Sequence, residues 1–406
     1  MIGEQFDVTI GSIAHGGHCV AHVDGRVVFV RHGLPGERAR IVITGGNARI
    51  MRADVVEVLE ESADRVVAPC AYAGRCGGCD FQHVAPDAQR RLLAAVVEDQ
   101  LKRLAGIDRS VHVEAVSDSA LGWRTRVTYA VGADKKLGLH KHRSHDVVDV
   151  DACLIAHEDL PPVLQSRWPA RSVEAIASSR GEKLVVVDRP NGRLPKLAGV
   201  SVSLTNGTRV SGSTHVTERV KHRDFRVTGS GFWQVHPAAA TTLVDAVMGY
   251  AAPARGERVA DLYAGVGLFT AFLAEAVGDS GGVFSVESDP GAARDAKRNM
   301  HDLPHVRLVS RDVDSALTDG HLPSTLDLVV LDPPRTGAKK SVPAIAALRP
   351  DRIVYVACDP AALARDLALF AEHGYGLSDL RAFALFPMTQ HVECVALLRP
   401  QHLLGG

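Results

Sequence analysis

The chain has 406 residues, of which 46% are hydrophobic and 23% charged, and its formal net charge is -1. A chain of this length and composition can bury more than one hydrophobic core, so we expect a globular protein of two or three domains. It contains no run of about 18 apolar residues and no signal-peptide pattern at its start, which indicates a cytoplasmic protein without a membrane span.

The N-terminal part alternates short β-rich runs with glycine-rich turns. The runs cover residues 6–10, 27–30, 39–44 and 53–59. This pattern predicts a small β-barrel over residues 1–61. On pattern alone, a generic barrel and an RNA-binding module both remain open.

The central part, residues 62–230, begins with apolar side chains that recur with a helical period. They predict a helix over residues 87–104, which we expect to pack on the C-terminal domain. A mixed, β-rich stretch follows, in which Lys and Arg outnumber Asp and Glu. Such a basic face can contact phosphates or can simply be solvated. Its candidate phosphate ligands are Arg124, Arg126, Lys135, Lys136, Lys141 and Arg143.

The C-terminal part, residues 231–406, alternates apolar strands with alanine-rich helical segments. This alternation predicts a parallel sheet covered by helices on both faces. The expected fold class is therefore α/β, with a Rossmann-like C-terminal domain behind an N-terminal barrel and a central mixed domain.

The first strand of the C-terminal domain runs into a glycine loop. Gly265 and Gly267 let the backbone turn tightly and approach a ligand at the N-terminus of the next helix. Glu287 closes the second strand, where its carboxylate can accept hydrogen bonds from both hydroxyls of a ribose. A dinucleotide-dependent oxidoreductase would show the same features, so these three residues alone leave that alternative open.

Further reactive side chains stand at the ends of later strands. The fourth strand ends in Asp-Pro-Pro-Arg at residues 332–335, which favours a methyltransferase over an ordinary turn. The fifth strand ends at Cys358, on the same carboxyl edge of the sheet. In methyltransferase sheets the last strand is antiparallel, so Glu393 at its start would face Cys358. The alternatives are a buried structural cysteine and a solvated carboxylate.

Taken together, these segments resemble the RNA 5-methyluridine methyltransferase family over nearly the whole chain. The matching segments are the TRAM-like, OB-like start, the cysteine cluster at 70–79, Phe-Trp-Gln-Val-His-Pro at 232–237, the glycine loop, residues 332–335, Ala-Cys-Asp-Pro at 357–360 and His-Val-Glu-Cys at 391–394. The resemblance implies an RNA substrate, S-adenosylmethionine as methyl donor, and Cys358 and Glu393 as catalytic residues. Cys358 would add to C6 of a uracil, and Glu393 would remove the C5 proton after methyl transfer.

The resemblance also implies a pocket for S-adenosylmethionine. Its residues would be Gln234, Tyr263, Gly265, Gly267, Glu287, Asp312 and Asp332, with Asp332 also near the target base. Leu268, His236 and Asp359 depart from the family pattern, because many relatives have Asn at these positions. The contacts of those three side chains are therefore open.

Three clustered cysteines, Cys70, Cys76 and Cys79, together with the distant Cys153, supply four thiolates. Four is the ligand count of an iron–sulfur cluster, and zinc also accepts four thiolates. The wide step from Cys70 to Cys76 fits a structural zinc site poorly. The resemblance implies a [4Fe-4S] cluster with a structural role.

The last expectations concern the partner molecules. The resemblance implies 23S ribosomal RNA as the substrate, with transfer RNA as the alternative, and we expect a monomer that contacts no membrane. Two other interpretations stay open. One is a Rossmann methyltransferase that acts on DNA, protein or a small molecule, and the other is a non-catalytic RNA-binding protein.

Overall fold

Four β-sheets and seven α-helices form the part of the chain that the computed structural model describes, residues 2–47 and 49–404. Within these residues, none of the helices combines the length and the apolar character needed to cross a membrane.

The N-terminal sheet has six strands. They are β1 (Gln5–Thr9), β2 (Ile13–Ala14), β3 (His18–Val23), β4 (Arg26–Arg31), β5 (Arg38–Gly46) and β6 (Ile50–Glu60). They pair in the order β1-β5-β6-β4-β3-β2, and β1 also contacts β3, so the sheet curls on itself. Apolar side chains face the core at every second position, for example Val28 and Val30 on β4. The predicted N-terminal barrel is confirmed.

A helix connects this barrel to the rest of the molecule. Helix α1 (Pro86–Gln100) begins with a proline, whose missing N–H costs no hydrogen bond in the first turn. It continues as a π-helical stretch (Leu101–Ala105) and ends at Gly106, whose φ of 67° is left-handed. The next strand, β7 (Val113–Ala115), joins the edge of the C-terminal sheet. The buried face of α1 belongs to one apolar cluster that runs from the barrel into that sheet.

The central sheet has seven strands and its own apolar core. The strands are β8 (Arg126–Val131), β9 (Leu137–His140), β10 (Val147–Asp149), β11 (Ser172–Ala177), β12 (Lys183–Asp188), β13 (Ser201–Leu204) and β14 (Arg209–Ser211). Their order is β10-β9-β8-β11-β12-β13-β14. Trp168 fills the core, and its indole N–H donates to the carbonyl of Val163 at 2.9 Å. A separate hairpin, β15 (His215–Val220) and β16 (Arg223–Thr228), leads into the C-terminal domain.

The C-terminal domain is a mixed sheet flanked by helices. Its strands are β17 (Arg258–Leu262), β18 (Gly282–Val286), β19 (Val306–Val309), β20 (Leu328–Leu331), β21 (Arg352–Ala357), β22 (Tyr375–Ala384) and β23 (Glu393–Pro400). Its helices are α2 (Ala239–Ala251), α3 (Leu268–Val277), α4 (Pro290–Asn299), α5 (Val313–Thr318), α6 (Val342–Ala347) and α7 (Pro360–Glu372). Helix α1 packs against α7.

The strand order of this sheet determines where a site can form. The order is β19-β18-β17-β20-β21-β23-β22-β7, and the five strands from β19 to β21 are parallel. The order reverses between β17 and β20, which creates a crevice at the carboxyl ends of the parallel strands. Strand β23 is antiparallel to β21, so its first residue lies at that same edge. The predicted Rossmann-like domain, and with it the α/β fold class, is confirmed.

Candidate active site

Cys358 and Glu393 lie side by side at the carboxyl edge of the sheet. Cys358 directly follows β21 and Glu393 is the first residue of β23. The two strands pair with Ala357 opposite Cys394, which brings the two reactive side chains to neighbouring positions. Glu393 is only 3% exposed, so the alternative of a solvated carboxylate is wrong. Cys394 is fully buried in the core.

The electrostatics of this pair are set by burial and by two further charges. Burial, followed by the charges of Glu393 and Asp332, raises the pKa of Cys358 to about 11, and Arg335 offsets part of this rise. Burial, followed by the charge of Asp332, also raises the pKa of Glu393 well above its usual range. The thiol is therefore protonated at neutral pH, while Glu393 is a stronger proton acceptor than an ordinary carboxylate.

Asp332 follows β20, is half-buried, and interacts electrostatically with Asp261, which is fully buried on β17. Burial, with the charge of Asp261 as the second cause, raises the pKa of Asp332 to about 7. Burial likewise raises the pKa of Asp261 to about 7, although Thr270 donates a hydrogen bond to it. Strongly shifted acids that converge on one sheet edge are typical of catalytic sites.

Arg335 and His391 contact each other near Cys358 and Glu393. A guanidinium nitrogen of Arg335 lies 3.4 Å from Nε2 of His391. Burial lowers the pKa of His391 to about 4, and the charge of Arg335 contributes, so the imidazole is neutral. Arg335 is consequently the positive charge that faces both Cys358 and Glu393.

The glycine loop lies between β17 and α3. Gly265 and Gly267 have φ of 57° and 90°, values that a side chain rarely permits. The N–H of Gly265 donates to Glu287 at 2.8 Å, and the N–H of Asp289 donates to the same carboxylate at 2.6 Å. A Cβ atom added at Gly265 would meet open space, so this backbone borders the crevice. These hydrogen bonds therefore hold the glycine loop and Glu287, which follows β18, in a fixed arrangement.

Of the remaining predicted cofactor residues, Tyr263 and Asp312 follow strands β17 and β19 at the same edge, whereas Gln234 lines a separate cavity. The hydroxyl of Tyr263 lies 3.0 Å from Oγ of Ser341. Asp312 follows β19 and caps α5 by accepting from the N–H of Asp314 at 3.0 Å. Gln234 is buried on the segment before α2, where it lines a cavity of about 360 Å³ between the central domain and that helix.

The three positions that depart from the family pattern all have identifiable contacts. Leu268 is buried in the first turn of α3. His236 stacks on Trp123 with ring centroids 5.8 Å apart. Asp359 caps α7 and also lies 3.1 Å from Nε2 of His15, a residue of the N-terminal barrel that sequence reasoning missed. No local signal could have identified His15, because the two residues are 344 positions apart.

Cys70, Cys76, Cys79 and Cys153 line one cavity of about 170 Å³. All four are free, half-buried thiols. The N–H of Gly78 donates to the sulfur of Cys76 at 3.4 Å. In the described part of the chain, no group of three or more His, Cys, Asp or Glu side chains is arranged to hold a metal ion. The cysteines therefore converge on one cavity but do not close around a single ion.

One residue of the predicted basic face is not on the surface. Arg126 is only 6% exposed, and its guanidinium donates to the carbonyls of Gly231 and Gly229 at 2.7 and 2.5 Å. It also pairs with Glu174 at 3.3 Å. The prediction that Arg126 contacts phosphate is wrong, because its hydrogen bonds fix the segment between β16 and α2.

Two family models match the chain. The TRAM domain matches residues 1–56, and the tRNA (uracil-5-)-methyltransferase family matches residues 209–401. Among curated relatives, an uncharacterized RNA methyltransferase of Streptomyces coelicolor is 46% identical, over 98% of this chain and 94% of its own length. A second one, from Streptomyces avermitilis, is 47% identical over 98% of this chain and 99% of its own length.

One solved structure is similar over almost the entire chain. It is the tRNA (uracil-54, C5)-methyltransferase of Pyrococcus abyssi, crystallised with S-adenosyl-L-homocysteine. The match covers 96% of this chain and 99% of that one, with a TM-score of 0.71. At 24% sequence identity the similarity establishes a shared fold.

Proposed function

We propose that this chain, which belongs to the family of RNA uracil-5 methyltransferases, transfers a methyl group from S-adenosylmethionine to C5 of a uridine in RNA through a covalent adduct with Cys358. The observation that carries the proposal is the juxtaposition of Cys358 and Glu393 at the ends of paired strands. A methyltransferase that uses neither covalent catalysis nor a base for a carbon-bound proton has no need of this pair.

The chemistry of uracil explains why a thiol and a base are both required. C5 of uracil is too weak a nucleophile to accept a methyl group directly. Cys358 loses its thiol proton to solvent and, as the thiolate, adds to C6; the electron pair displaced from the ring double bond makes C5 an enolate carbon. After methylation, Glu393 removes the C5 proton, and elimination from C6 releases Cys358.

Charges around the pair support these roles. Arg335 offsets part of the rise in the pKa of Cys358 and thereby favours the thiolate needed for the first step. The raised pKa of Glu393 suits it to accept a proton from carbon. Asp332, which follows the adjacent β20, would contact the base as well as the methyl donor.

S-adenosylmethionine, when bound, supplies an activated methyl group. The residues that would hold it are the glycine loop, Glu287, Tyr263, Asp312, Asp332 and Gln234. Glu287 already accepts two backbone N–H donors and keeps lone pairs for ribose hydroxyls. The similar Pyrococcus abyssi enzyme was crystallised with S-adenosyl-L-homocysteine, which supports a donor of this class.

The four-cysteine cavity fits a [4Fe-4S] cluster better than zinc. A single tetrahedral ion requires its ligands in direct contact with one centre, whereas a cluster of four irons separates them. The support for either group is that the four cysteines share one cavity. Such a cluster would tie the loop at 70–79 to the central domain through Cys153.

For the substrate we propose 23S ribosomal RNA, supported by the combination of a TRAM domain with four clustered cysteines. Transfer RNA is the second candidate, because the structurally similar protein from Pyrococcus abyssi is a tRNA methyltransferase. Mapping 5-methyluridine in both RNA classes, with and without this protein, separates the two.

The test of the proposed function is methyl transfer from labelled S-adenosylmethionine to RNA that lacks the modification. The wild-type protein should produce 5-methyluridine. Cys358→Ala should lose at least about a thousandfold in rate while it still binds the methyl donor, because the thiol acts on the base. Cys19→Ala, the same change in the barrel core, is the matched control and should stay active. Near-normal turnover by Cys358→Ala would overturn the mechanism.

A further inference from the structure

A second cavity lies where the N-terminal barrel meets the turn after β9. Its volume is about 330 Å³. The residues of interest in its lining are His18, Arg31, Arg52, Asp54, His142 and Arg143. We call it the seam cavity, because its walls come from the barrel and from the central domain.

The charge of the seam cavity is strongly positive. Its lining contains three arginines but only one carboxylate, that of Asp54. This carboxylate lies 3.8 Å from the guanidinium of Arg31. Within residues 2–47 and 49–404, neither Arg52 nor Arg143 forms an ion pair with a carboxylate, and both are exposed. Two guanidinium groups are thus available to an anion that enters the cavity.

The two histidines supply directed hydrogen-bonding groups. Nε2 of His142 is buried and has no hydrogen-bond partner, although burial of such a group is costly. The rings of His18 and His142 have centroids 6.0 Å apart. Burial and nearby arginines lower the pKa of each to about 4, so both rings are neutral; His18 already hydrogen-bonds the backbone of Gly16, whereas His142 can donate one N–H. A phosphate oxygen would satisfy His142 and match the arginines.

The seam cavity is connected to the nucleophile by a short stretch of chain. His15 contacts Asp359, which follows Cys358, and His18 lines the cavity three residues later. Three residues span at most about 11 Å. Between them, Gly17 packs so closely on Gln390 that an added Cβ would lie 2.8 Å from Cβ of Gln390. The turn is therefore held against the active-site edge.

We propose that the seam cavity binds a backbone phosphate of the RNA strand whose uridine enters the active site. This proposal rests on the proposed function, since it assumes an RNA substrate. A phosphate held this close to the nucleophile would fix the register of the strand, because phosphate contacts position a nucleic acid without reading its sequence.

The experiment measures equilibrium binding of a fluorescein-labelled, uridine-containing single-stranded RNA to the full chain, without methyl donor, at several salt concentrations. Arg52→Gln and Arg143→Gln should each weaken binding severalfold and reduce the slope of log K against log salt by about 0.7. The matched control is Arg307→Gln on the outer strand β19, also exposed and likewise without a carboxylate partner in the described structure. It should leave affinity and slope unchanged.

Two outcomes would overturn the proposal. One is an unchanged slope in both cavity variants while the wild-type protein binds the RNA. The other is that inorganic phosphate, at constant ionic strength, shifts the ring signals of His18 and His142 while RNA does not, which would identify a small-anion site. This experiment measures RNA binding only and does not depend on methyl transfer. A failure of the seam cavity is thus distinguishable from a failure of the proposed function, which is the absence of 5-methyluridine.

Discussion

Nε2 of His15 lies 3.1 Å from a carboxylate oxygen of Asp359, and this contact joins the N-terminal barrel to the residue that follows the candidate nucleophile. Asp359 also accepts from the N–H of Ala362 at 2.8 Å, which caps α7. The side chain of Asp359 therefore caps the helix that follows Cys358 and also contacts the N-terminal barrel.

The first prediction concerns the pH dependence of this contact. The hydrogen bond to Asp359 raises the pKa of His15, so its contribution to stability is complete below about pH 6.5 and is lost as pH rises through the folded-state pKa. Both side chains are partly exposed, which limits the contribution to about 1 kcal/mol. His15→Ala should lower the free energy of urea unfolding at about pH 6 and have a smaller effect at about pH 9. An effect of equal size at both pH values would contradict this.

The second prediction concerns the reactivity of Cys358. Because its pKa is raised to about 11, alkylation by iodoacetamide should be slow at neutral pH and should accelerate with rising pH. Arg335→Gln removes the charge that lowers this pKa and should slow alkylation severalfold, whereas Glu393→Gln should accelerate it. The rate is followed by mass spectrometry of the Cys358 peptide. Arg365→Gln, an exposed change on α7, is the control, and an equal effect of both arginine variants would refute the assignment.

The third prediction concerns Arg126, which connects β8 to the segment before α2. Arg126→Ala would remove the charged partner of the half-buried Glu174 and would leave the carbonyls of Gly229 and Gly231 without their donor. The expected loss in the free energy of unfolding is about 3–5 kcal/mol. Lys136→Ala, on the exposed part of the same domain, should change it by less than about 0.5 kcal/mol. A loss below about 1 kcal/mol for Arg126→Ala would show that this network is not structural.

The fourth prediction concerns the cysteine cavity. Purified without oxygen, the protein should be brown and contain about four irons per chain. Cys76→Ser should lose the colour and the iron, whereas Cys19→Ser, in the barrel, should keep both. Metal analysis that finds one zinc and no iron would reverse the assignment.

Much of the C-terminal site could be predicted from the sequence, because its signals are local. Each glycine, acid or thiol stands at the end of an apolar strand, and the alternation of strands and helices places all strand ends at one edge. The burial of Glu393 could not be predicted in the same way. Both faces of β23 are buried, so apolar and polar residues do not alternate along this strand. The sequence pattern therefore does not distinguish a buried carboxylate from a solvated one.

Contacts between distant segments were outside the reach of sequence reasoning. The sequence does not distinguish Arg126 from the other residues of the basic face. Its burial is explained by hydrogen bonds to the carbonyls of Gly229 and Gly231, which are more than 100 residues away in the chain. The seam cavity likewise requires β3, β4 and the turn after β9 to meet. Such contacts depend on how domains pack and leave no periodic signal in the chain.

The most direct test of the central claim uses Glu393→Gln with a substrate RNA and S-adenosylmethionine. Glutamine keeps the size and polarity of the side chain but is a far weaker base, so the thioether between Cys358 and C6 of the methylated uridine should persist. The predicted result is a protein–RNA band on a denaturing gel that survives heating, requires S-adenosylmethionine, and disappears when Cys358 is also replaced by Ala. Free turnover of Glu393→Gln with no such band would contradict the account and leave Asp332 as the next candidate for the base.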